Sequence, residues 1–142
     1  MTDFDWVKAR AECSIAEVFE QLKSEVEADV TAREKLRPKN EAHQHYAFKF
    51  TVTGRTFSVF IESNKIHRSA SFTLRDNRIS IRKDHQEFFA LAALNDEGRC
   101  VLRVNNKDYE RWQVRKMALE ELFFSEPEVD ADPFAQFGGK KL

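Results

Sequence analysis

The sequence predicts an α+β fold of two layers: an antiparallel β-meander of about six or seven strands, covered on one face by a long N-terminal helix and by a C-terminal helix. Two observations lead there. Residues 45–104 alternate apolar and polar side chains with a period of two, broken at turn residues, whereas the flanks on either side space their apolar residues by three and four. The turns also set strand registers in which the apolar residues of neighbouring strands share one side.

At the start, Val7, Ala9, Ala11 and Cys13 alternate with Trp6, Lys8, Arg10 and Glu12, which suggests a short opening strand, although Ala and charged residues suit a helix equally. Ser14 and Glu17 have capping-box spacing, so a helix begins at Ile15. Its stripe is Ile15, Val18, Phe19, Leu22, Val26 and Val30, with Glu20, Glu27 and Arg33 toward water. Pro38 lacks an N–H and disfavours helical geometry at Arg37, which ends the helix.

Tyr46, Phe48, Phe50 and Val52 form the apolar side of a first strand, and Phe57, Val59 and Ile61 that of a second, with Gly54-Arg55 as a two-residue turn. That turn places Val52 opposite Phe57, Phe50 opposite Val59 and Phe48 opposite Ile61. A second hairpin, with Asp76-Asn77 at its tip, sets Leu74 against Ile79 and Phe72 against Ile81. A third joins 88–94 to 99–104 through Asn95-Asp96-Glu97-Gly98. Its first strand is apolar on both sides, Phe88, Ala90, Ala92 and Leu94 on one and Phe89, Leu91 and Ala93 on the other, so the second side calls for a cover, with the closing helix a candidate. After Asn105-Asn106, Tyr109, Trp112, Leu119, Leu122 and Phe123 mark that closing helix, running to about Phe124 with Asn106 as its N-cap. The aromatic pair Tyr109 and Trp112 is expected in the core. The chain thus divides into an α+β domain, 1–124, and a flexible acidic tail, 125–142.

Composition narrows the function classes. Leu, Ile, Val and Phe make up 37 of the 142 residues, enough for a packed core. No apolar run approaches the roughly 20 residues of a membrane span, and the start has neither the basic nor the apolar part of a signal peptide. A soluble cytoplasmic protein without membrane contact is expected, with Cys13 and Cys100 as reduced, buried thiols. The net charge is −1, but residues 44–83 hold eight basic side chains against two acids. This segment either meets acidic helices within the fold or forms a surface for anions.

The four glycines occupy turns and the tail, which excludes a Gly-rich phosphate loop, and no Gly-x-Ser-x-Gly elbow occurs. His43 and His45 have a spacing that can ligate a metal, with Glu41, His67 or His85 as a third group; two-residue His spacing at the edge of a strand is common by chance, and no cofactor is expected. The polar side of the meander is more specific. Its register sets Arg75 opposite Arg78, Thr73 opposite Ser80 and Ser71 opposite Arg82, and paired guanidinium groups among hydroxyls suit a phosphate or carboxylate. These six residues are the candidate anion site. Phe60, with Phe89 and Leu91 on the second side of the third hairpin, is the candidate protein interface. The leading expectation is a small non-enzymatic binding domain, dimeric or engaging a protein partner through the sheet face. Alternatives are an anion or single-stranded nucleic-acid binder using the basic face, disfavoured for nucleic acid by the lack of stacking aromatics, and a metal-dependent enzyme built on the histidines.

Overall fold

The structure is a computed structural model that describes residues 3–36, 47–62 and 68–125. The chain order is α1 (Trp6–Glu12), α2 (Ile15–Lys35), seven strands, then α3 (Arg111–Phe124). The strands are β1 (Ala47–Thr53), β2 (Thr56–Glu62), β3 (Ser69–Arg75), β4 (Arg78–Lys83), β5 (Gln86–Leu94), β6 (Cys100–Val104) and β7 (Lys107–Tyr109). They form one antiparallel sheet in sequence order, an uninterrupted meander. This is the expected α+β class, with α2 and α3 packed against the sheet.

The registers of the first two hairpins follow their turns. Gly54, at φ 59°, takes the first turn position between β1 and β2, and Val52 faces Phe57, Phe50 faces Val59 and Phe48 faces Ile61. Asp76 opens the β3–β4 turn, with Phe72 opposite Ile81 and Leu74 opposite Ile79. All these apolar side chains point to the helix side. There Phe57, Val59, Phe72, Ile79 and Ile81 are completely buried with Leu22, Val26 and Val114 from the helices. Phe57 lies at its centre, stacked on Phe72 at 4.7 Å and tilted against Phe19 at 5.1 Å. Helix α2 begins where its cap requires, the Ser14 hydroxyl accepting from Glu17 N–H at 3.2 Å. It ends at Lys35, with Leu36 as C-cap, so Pro38 lies beyond its end and outside the described residues.

Several expectations need correction. Residues 6–12 are helix, not strand: the Asp5 carboxylate accepts from Lys8 N–H at 3.0 Å to cap α1, which buries none of its own residues and so carries no apolar stripe. The cysteines are not free thiols. The junction of α1 and α2 lies against the start of β6, with the Cα atoms of Cys13 and Cys100 5.4 Å apart and their sulfurs bonded. Asn106 is not a helix cap, because Asn105 and Asn106 both adopt positive φ, 52° and 67°, and form the two-residue turn into β7. The closing helix instead starts behind Glu110, whose side chain and that of Gln113 make a reciprocal capping box. Tyr109 belongs to β7, and Trp112 is 52% exposed rather than core. The tail from 126 onward lies outside the described residues.

Candidate functional site

The alternation that sends apolar residues to the helices sends a different set to the opposite side of the sheet. Two cross-strand rows run over it: Thr51, Ser58, Ser71, Arg82 and Glu87, then Thr53, Thr56, Thr73, Ser80 and Phe89. Arg75 and Arg78 form the next pair. All three sequence-derived contacts of the anion candidate are therefore present. The hydroxyls are joined across strands, Thr56 Oγ1 to Thr73 Oγ1 and Ser58 Oγ to Ser71 Oγ at 2.9 Å each. Such pairs satisfy polar groups that are partly withdrawn from water.

Ser80 is the buried polar residue of this face, and its hydroxyl donates to Glu87 Oε2 at 2.5 Å. That bond holds the Glu87 carboxyl below its ordinary range. Partial desolvation opposes the effect, and the nearby positive charges of Arg82 and Arg75 reinforce it. Glu87 also lies 3.7 Å from Arg82, so one of the three candidate arginines has a partner within the fold. Arg103, on the same side one strand further, is paired with Asp108 at 2.8 Å; the pair lowers the carboxyl's pKa and raises that of the guanidinium.

The other charges of the basic segment divide clearly. Lys83 reaches α3, donating to Met117 O at 2.8 Å and approaching Glu121, and Arg68 meets Asp84. Two acids of α2 are taken up by α3, with Arg111 and Arg115 on Glu25 at 3.0 Å and Arg115 on Asp29 at 2.7 Å. Among the described residues no carboxylate comes within ion-pair distance of Arg75 or Arg78, although like charges directly opposite each other are unfavourable. Arg78 finds a different partner: its guanidinium lies 4.0 Å from the centre of the Phe89 ring.

Phe89 and Leu91 are 36% and 43% exposed, on a regular internal strand, and Phe60 is half-buried on the same side. The cover expected for β5 is not α3, whose buried residues Val114, Ala118, Leu119, Leu122 and Phe123 all join the core on the other side. Helix α1 packs against β5 but leaves both residues exposed. Where the chain approaches this region, the Phe4 ring fills the space a Cβ at Gly98 would need, 2.8 Å away, and Gly98 has φ 79°.

Sequence reasoning missed the Arg78–Phe89 contact. Its signal was the two-residue Asp84-His85 turn, which sets Ser80 opposite Phe89. A second exposed apolar surface, also unforeseen, is a groove of about 390 Å³ between α2 and α3 lined by Leu36, Trp112, Leu119 and Phe124 among others. His43, His45 and His67 lie outside the described residues; His85 sits exposed in the β4–β5 turn. Among the described residues no three potential ligands gather to hold a metal ion, and no helix is long and apolar enough to cross a membrane.

No protein-family description, no curated protein and no solved structure matches this chain.

Proposed function

We propose that this protein is a non-enzymatic binding domain that engages a protein partner through the open sheet face, centred on Phe89, Leu91 and Arg78. The observation that carries the reading is the exposure of Phe89 and Leu91 on an ordered internal strand, beside an arginine whose guanidinium rests on the Phe89 ring. Aromatic and arginine side chains of this kind supply the anchors of protein interfaces, the ring burying much area at little conformational cost and the guanidinium adding several donors. The ordered hydroxyl rows around them add donors and acceptors for a polar rim. A photo-crosslinking residue at position 91 tests this in the native cell. A discrete adduct that disappears with Arg78→Glu is expected; labelling no stronger than from position 27, on the exposed side of α2, would count against it.

A second reading rests on a separate observation, the facing pair Arg75 and Arg78 with no carboxylate within ion-pair distance among the described residues. These two, with Arg82, would hold an anionic group such as a phosphate through paired N–H donors, with Ser71, Thr73 and Ser80 lining the same rows. Stacking of nucleobases has little support, since Phe89 already gives one ring face to Arg78. Salt-dependent binding of a polyphosphate that is lost with Arg78→Glu is the expected result, and the absence of binding at low salt would end this reading.

A further inference from the structure

The sheet has two edges, and they differ. β7 is three residues long, while β1 is a regular strand of seven with neither proline nor bulge to guard it. In an antiparallel ladder, successive residues turn their N–H and C=O groups alternately to one neighbour and the other. Leu74 N–H donates to Arg55 O at 2.9 Å and Ile61 N–H to Arg68 O at 3.1 Å, so the odd-numbered residues of β2 face β3. Thr56, Ser58 and Phe60 therefore face β1 and meet Thr53, Thr51 and Lys49. This leaves the main-chain groups of Phe48, Phe50 and Val52 pointing outward. Phe48 N–H is taken by Glu34 Oε2 at 2.8 Å, as an outward group requires. Among the described residues no main-chain bond meets Phe50 or Val52 on that side, and Val52 is 48% exposed.

The geometry points to self-association by strand addition, with β1 of a second copy pairing antiparallel to β1 about a two-fold axis at Thr51. Phe50 and Val52 of one copy then exchange both their N–H and both their C=O groups with Val52 and Phe50 of the other. A register shifted to centre on Phe50 would need the Phe48 N–H that Glu34 already holds. Thr51 falls opposite Thr51 of the second copy, extending the row of cross-strand hydroxyls, and Lys49 falls opposite Thr53, so no like charges meet. On the helix side, Phe50 covers the half-exposed Val52 of the other copy. The two-fold axis stands perpendicular to the sheet, so both open faces lie on the same side of a continuous fourteen-stranded sheet. A strand pair alone buries little area, which makes this a weak, concentration-dependent dimer.

Light scattering across a dilution series tests it. The native chain is expected to pass from dimer to monomer on dilution. Thr51→Lys alone and Thr51→Glu alone raise the dimer dissociation constant by about tenfold or more, and an equimolar mixture of the two recovers pairing. Val52→Pro removes an outward N–H at a position where an edge strand tolerates proline, and should keep the native circular dichroism while losing the dimer. A native chain that stays monomeric throughout would overturn the inference, as would charged variants that associate like the native chain or a mixture that fails to recover. Replacing Phe89 and Leu91 by Ser leaves this dimer unchanged, which separates it from partner binding at the open face.

Discussion

The two sides of the sheet are built from the same strands and do opposite things. On the helix side, Phe57, Phe72, Ile79 and Ile81 are sealed from water and packed on one another and on α2 and α3. On the open side, hydroxyls are bonded in pairs across strands, while Phe89 and Leu91 remain partly in water and Arg75 and Arg78 face each other. The helix side accounts for why the chain folds. Stability alone explains neither the facing arginines nor the exposed apolar residues, because polar residues of lower charge there would fold as well.

The contrast can be broken most directly by truncation. Phe57→Ala removes a ring in contact with Phe19, Phe50 and Phe72 and should lower stability by about 3–5 kcal/mol in chemical denaturation. Phe89→Ala on the other side should lower it by less than about 1 kcal/mol. Equal losses at the two positions would mean that the open face is part of the core. The disulfide sits at the boundary of this comparison, tying the α1–α2 junction to β6 across 87 residues of chain. Replacing Cys13 and Cys100 together by Ser should cost about 2–4 kcal/mol through the freer unfolded chain. Alkylation of the unreduced protein in denaturant should find no free thiol by mass spectrometry; two modified cysteines would show that the bond does not form.

Smaller effects sharpen the picture of the hydroxyl rows. Ser58→Ala alone leaves the Ser71 hydroxyl without its partner and should cost about 1 kcal/mol, while adding Ser71→Ala should return part of that loss, read as thermal stability of the three variants. The smallest effect is that of pH. The Glu87 carboxyl titrates below its ordinary value of 4.5, so its contribution is fully present above that value and disappears as pH falls through the lower, folded-state pKa. Carboxyl chemical shifts should show this depressed midpoint, and Ser80→Ala should move it back up; a midpoint indifferent to Ser80 would assign the shift to the arginines alone.

Much of this architecture was legible in the sequence because turns fix register. Gly54-Arg55 and Asp76-Asn77 each specify a two-residue hairpin, and a wrong register would have put Phe50 or Phe72 among the hydroxyls, so turn chemistry and apolar alternation constrain each other. That coupling also made the Arg75–Arg78 pair readable. It failed where one of the two signals was missing. α1 buries nothing, so seven residues of mixed character carry no face by which to tell helix from strand. β7 is only three residues long, and Asn105-Asn106, read as a helix lead-in, is a turn whose following strand is too short to show alternation. The cysteine pairing depends on a contact between chain segments 87 residues apart, which spacing alone does not encode. Phe89 and Leu91 were visible as a second apolar side, but their exposure depends on where α3 docks, a tertiary fact.

One side of the sheet is closed and the other open, and a paramagnetic cosolute measures this in a single NMR experiment on dilute protein. Resonances of Phe89, Leu91 and the Arg78 side chain should broaden strongly while those of Phe72, Ile79 and Ile81 stay sharp. Protection of Phe89 and Leu91 equal to that of Phe72 would contradict it.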